Sequence, residues 1–183
     1  RDDLEALGYQ IISVTGDGLS PIKQAFAGIP YQMCLVHMER IVIRGTTRSP
    51  ETEAGQVLLA LVRSLYKTKR GTFNWRLDQY FHKYRDFLNE KTIHPISHEW
   101  SYSHEELCRA AHSLKTFQLD LFTFERHSGI PRTTNSLEGH FSHINDIVAI
   151  HRGLSRTQKE KVLKTIFLAS TIAPSKKRLK EIS

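Results

Sequence analysis

The chain has 183 residues, with 26 Lys and Arg against 19 Asp and Glu, a formal net charge of +7 and a pI near 9.5. That length suits one domain, or one domain with an insertion, and the charge favours a polyanionic partner over an acidic or neutral one. Cys34 and Cys108 are the only cysteines, which excludes a disulfide scaffold and fits a reducing cytosol or nucleoid. With neither a run of ~18 apolar residues nor a signal-peptide pattern, no membrane partner is expected.

In chain order, Asp2 to Leu7 reads as the last turns of a helix closed by Gly8. Tyr9 to Thr15 is a β-branched and aromatic run that stops at Gly16-Asp17-Gly18, strand chemistry followed by turn chemistry. Ser20-Pro21 opens a short helix, with Ser20 as N-cap and Pro21 at its first position, and Gly28 ends it. Tyr31 to Val36 is a second strand, so residues 9–36 form a βαβ unit with a parallel strand pair.

From His37 to about Arg126 the pattern is helical, broken by turn-rich stretches at Arg44 to Glu53 and Thr92 to Ser103. After a break at Ser128 to Arg132, a helix from Asn135 to His151 carries Leu137, Phe141, Ile144 and Val148 on one face. Gly153 closes it, Ser155 caps a last helix, and a basic tail with Lys176-Lys177-Arg178 follows Pro174.

Three groups could carry chemistry. Asp17 is a carboxylate at the C-terminal end of a strand, where α/β sheets place ligand sites, although an Asp beside glycine is also ordinary turn chemistry. Cys34 and His37 form a C-x2-H pair; with the C-x3-H pair Cys108 and His112 they could make a Cys2His2 zinc set, against the plainer reading of a buried thiol and a hydrogen-bonded imidazole. In Arg132 to Gly139, Asn135 can cap a helix and Glu138 can reach back to an orphan amide, a role that competes with any catalytic use of that carboxylate.

Gly-Asp-Gly at a strand end, C-x2-H after it, a helical block, and then Thr134-Asn135-x-x-Glu138 opening a helix that runs into His151-Arg152-Gly153-Leu154 resemble the DDE transposases of the Mutator and related bacterial insertion-sequence superfamilies. The resemblance spans nearly the whole chain. It implies a partial RNase H-like α/β core, its second half, with a large all-helical insertion: core residues 1–45, insertion 46–128 and closing helices 129–183. It implies that Asp17 and Glu138 are the second and third catalytic carboxylates and ligands of two Mg2+ or Mn2+ ions, and that Cys34 and His37 support the site without acting as nucleophiles.

The first catalytic Asp would lie upstream of Arg1, so weak metal affinity and no strand transfer are expected of this chain by itself. Water would free a 3′-OH at a transposon end, and that hydroxyl would attack target DNA.

The implied partners are transposon-end and target DNA and further copies of the chain, in a bacterial cytoplasm or nucleoid. Expected DNA contacts are Arg132, Asn135, Arg152 and Arg156, with a second basic cluster at Lys67, Lys69, Arg70 and Arg76. Trp75 and Trp100 are either core or stacking groups. A non-catalytic DNA-binding or assembly module, and a zinc-stabilised helical interaction domain, are the alternative readings.

Overall fold

The computed structural model describes residues 1–93, 95–96, 98–150 and 153–172. The fold is mixed α/β, mostly helical with small sheets. Residues up to Thr134 form one compact unit and a second begins at Asn135. No described helix is long and apolar enough to cross a membrane.

The first unit opens with helix α1 (Asp2–Ala6), after which Gly8 turns the chain at φ +85°. Strand β1 (Val14–Gly16) pairs in parallel with β2 (Tyr31–Met33) in the register Val14–Tyr31, Thr15–Gln32, Gly16–Met33. Between them runs α2 (Ser20–Ala25), started by Pro21, whose missing amide costs nothing in the first turn. The expected βαβ unit is therefore present, with three corrections. The first strand begins at Val14 and not at Tyr9, because residues 9–13 pair with no strand among the described residues. Ser20 is the first helical residue; Leu19 holds the cap position and offers no side-chain acceptor. The second strand stops at Met33, and α3 (Leu35–Thr46) starts where an extension to Val36 was expected.

The helical block holds α3, α4 (Glu53–Arg63), α5 (Arg70–Lys83), α6 (Arg85–Leu88) and α7 (Glu105–Thr116). Thr52 caps α4 by accepting the Gly55 amide at 3.2 Å. Helix α3 packs on α4 and α7, and a Cβ at Gly45 would run into the Glu106 carbonyl, so glycine permits the α3–α7 approach. Met33, Leu35, Met38 and Val42 meet Leu58, Val62, Phe73, Leu77, Leu114 and Phe122 in one core. Each such side chain stabilises the fold by about 1.5–3 kcal/mol on burial. The block is not all helical: β3 (Lys91–Ile93) and β4 (Trp100–Tyr102) make an antiparallel hairpin inside the stretch expected to be a turn, with the Lys91 ammonium 4.1 Å from the Trp100 ring.

The second unit consists of α8 (Asn135–Ile150) and α9 (Arg156–Ile172), which pack together. Gly153 takes φ +100°; the Ser155 amide donates to Gln158 Oε1 at 2.9 Å and the Gln158 amide to Ser155 Oγ at 3.4 Å, a reciprocal cap that starts α9 where expected. The basic tail lies outside the described residues.

Candidate functional site

The Gly-Asp-Gly turn is built around Tyr31. The Gly18 amide donates to Tyr31 Oη at 2.8 Å, and a Cβ on Gly16 would stand 2.8 Å from that same oxygen. Gly18 has φ +95°, and its Cβ would lie 2.7 Å from Phe117 Cζ. Both glycines thus have steric reasons to be there. Between them Asp17 is half-buried at the end of β1, its Oδ1 accepting the Leu19 amide at 3.2 Å. Oδ2 makes no hydrogen bond among the described residues. Burial pushes the Tyr31 phenol above its ordinary value, and the carboxylates of Asp17 and Asp120 push it the same way. Lys23 answers that negative charge, 2.6 Å from Asp120 and 5.2 Å from the Tyr31 ring centroid.

Cys34 follows β2 and extends the ladder, its amide donating to Gly16 O at 2.7 Å. The thiol is fully buried at the start of α3, and His37 stands in the first turn of that helix, not on a strand. Burial pushes the thiol up, but hydrogen bonds from the Thr134 hydroxyl, the His37 amide and ring, and the Thr134 amide outweigh it. The net effect holds the thiol below 9.0. Thr134 donates its amide and its hydroxyl to the sulfur, each at 3.4 Å.

The segment that carries Thr134 is tied to the strand ends at two further points: Thr15 Oγ1 donates to Pro131 O at 2.9 Å, and the Leu35 amide to Arg132 O at 3.0 Å. Asp17, Cys34, His37 and Arg132 accordingly belong to one corner of the first unit.

The four-residue zinc set does not assemble. Cys108 Sγ donates to Leu88 O at 3.1 Å, burial pushes that thiol up, and His112 Nδ1 lies 2.8 Å from Cys108 O. Among the described residues no three His, Cys, Asp or Glu side chains converge as a metal ion requires. The two halves are occupied by separate bonds: Cys34 by Thr134, and Cys108 by Leu88 O.

The remaining expected site residues lie in the second unit or beyond the described chain. Asn135 is the first residue of α8 and not its cap, Glu138 is in the first turn of α8, and Arg156 opens α9, its side chain 96% exposed. Arg152 lies outside the described residues. Trp75 and Trp100 are 62% and 59% exposed, so neither is core.

Sequence reasoning missed Tyr31 and Gln32. Gln32 is buried, its Nε2 donating to Met33 O and Leu121 O and its Oε1 accepting the Phe124 amide at 3.0 Å. A buried polar residue in an apolar strand was the available signal. It also missed that Arg132, stacked 4.3 Å over Phe124, shares a cleft with Lys67 and Lys69, which the sequence separates by more than sixty residues. No family model, curated protein or solved structure matches this chain.

Proposed function

We propose that the chain is part of a DDE-type DNA transposase, a metal-dependent enzyme that cuts and joins DNA strands, with Asp17 and Glu138 as two of its carboxylates. The observation that carries the reading is the bridge from Thr134 to Cys34. It anchors the residue that opens the Thr-Asn-x-x-Glu motif beside the strand pair bearing Asp17, and gives the C-x2-H element a positioning role. A partial RNase H-like core is part of the same reading and is supported by the parallel βαβ unit with its strand-end carboxylate.

Asp17 by itself suits a hard divalent cation, with one oxygen fixed by the Leu19 amide and one that makes no hydrogen bond among the described residues. Mg2+ or Mn2+ supplies activation of an oxygen nucleophile and stabilisation of the leaving 3′ oxygen. Asp17 and Glu138 would each supply an oxygen to the cation, Cys34 and His37 brace the turn and the Thr134 segment, and Arg132 would bind DNA phosphate.

Paramagnetic titration with Mn2+ tests this. Asp17→Asn and Glu138→Gln should each weaken binding, and the double variant should bind no worse than the weaker single one, since one site can be lost only once. Independent, additive losses, or singles that bind like the parent chain, would sink the catalytic assignment. A non-catalytic DNA-binding module is the second reading, favoured by the Asp17–Leu19 bond, which gives Asp17 a purely local turn role.

A further inference from the structure

In the first unit a cleft of about 530 Å³ opens between the start of α5 and the Phe124–Arg132 stretch. Lys67, Lys69 and Arg132 line it, together with Tyr66, Phe124 and Glu125. Elsewhere in the unit several cations are matched: Lys23 with Asp120, Arg63 with Glu39, Lys83 with Glu53, Lys115 with Asp78. Among the described residues, none of the three cleft cations has a carboxylate within ion-pair distance.

The cleft is also stiff. Arg132 is held from below by the Phe124 ring and along its backbone by the Leu35 amide. Phe124 is fixed in turn by Gln32. Lys69 accepts the Phe73 amide as α5 begins, and the Lys67 amide donates to Ser64 O. Such a guanidinium presents its planar fork with little freedom left to lose, which favours a phosphate over a diffuse counterion cloud.

One acid sits inside. Glu125 Oε1 accepts the Arg70 amide at 3.1 Å, so a carboxylate stands at the positive end of the 14-residue helix α5.

We infer that this cleft is a subsite for the phosphodiester backbone of DNA, with Lys67, Lys69 and Arg132 as its contacts and Glu125 as a built-in competitor for the α5 N-terminus. The choice of DNA as the polyanion rests on the proposed function; the site itself uses neither Asp17 nor Glu138. Contacts of this kind set affinity and its salt dependence and do not read sequence.

The test is fluorescence anisotropy of a labelled DNA duplex with the full chain over a salt series. Arg132→Ala and the double variant Lys67→Ala with Lys69→Ala should each bind several-fold more weakly, and the slope of log affinity on log salt should shrink by roughly one per cation removed. Glu125→Gln keeps an acceptor for the Arg70 amide and removes the repelling charge, so it should bind several-fold more tightly, a gain that damaged folding cannot produce. Lys115→Ala, a matched cation away from the cleft, should bind as the parent does. A parent chain that ignores DNA, cleft variants that match Lys115→Ala, or a Glu125→Gln that gains nothing overturns the subsite. The Mn2+ titration uses no DNA, so loss of the subsite and loss of the catalytic reading are separate results.

Discussion

Thr134 donates to the Cys34 sulfur twice, from its amide and from its hydroxyl, across a hundred residues of chain. A sulfur that receives these bonds and those of His37 is stabilised as thiolate despite full burial.

That makes Cys34 a source of pH-dependent stability. Its folded value lies below the ordinary 9.0, so the folded chain binds fewer protons between the two values. The contribution is fully present above 9.0 and is lost as pH falls through the folded value. Cys108 is pushed the other way by burial and should be removed first as Cys108→Ser. Urea unfolding in that background should show stability rising with pH towards 9.0, and Thr134→Val should flatten the rise. An unchanged slope in Thr134→Val would mean that the hydroxyl does not tune the thiol.

Gly16 and Tyr31 should be coupled. Gly16→Ala sets a Cβ against Tyr31 Oη and should destabilise by about 1–3 kcal/mol. Tyr31→Phe removes the acceptor of the Gly18 amide, a loss of about 0.5–1.5 kcal/mol, and also removes the atom the new methyl would strike. Denaturant melts of the double variant should therefore show less than the sum of the singles. Strict additivity would show that the strain lies elsewhere.

Gln32→Leu should be costly although it makes a buried residue more apolar. It strands Met33 O, Leu121 O and the Phe124 amide, and a loss of about 3 kcal/mol follows from leaving such groups unsatisfied. Thermal or urea unfolding reads it directly; a change under ~1 kcal/mol would mean that the three groups find other partners.

The turn role of Asp17 and the metal role proposed for it are separated by one pair of substitutions. Asp17→Asn keeps an oxygen for the Leu19 amide and should unfold at nearly the parent urea concentration, while Asp17→Ala should lose about 0.5–1.5 kcal/mol. Both should lose Mn2+ binding equally. If Asp17→Asn binds Mn2+ as the parent does, only the turn role remains.

What could be read beforehand follows the range of the interactions involved. Gly16-Asp17-Gly18, Pro21 at a helix start, Gly153 and the Ser155 cap act within a few residues, and each is found where its chemistry puts it. The start of α3 was not legible because Tyr31 to Leu35 is buried throughout, and a continuous buried run has no period to tell strand from helix. The hairpin was hidden in three-residue strands among turn-forming residues. The zinc set fails because Cys108 and His112 find their partners in backbone carbonyls, those of Leu88 and Cys108. The gathering of Arg132 with Lys67 and Lys69 depends on packing across the unit, which no local pattern encodes.

The bonds of Gln32 carry a consequence for the order of folding. Its partners Leu121 and Phe124 lie 89 and 92 residues away, and Thr134 reaches Cys34 across 100. Closing loops of that length is slow compared with forming the local α4–α5 corner, because the entropy of closure is lost before any distant contact rewards it. The α4–α5 corner is thus set to form first, and the α3–α7 packing and the corner around Asp17 later. By the same logic the corner around Asp17 opens before the α4–α5 pair under denaturant, and its amides should exchange hydrogen faster than those of α4.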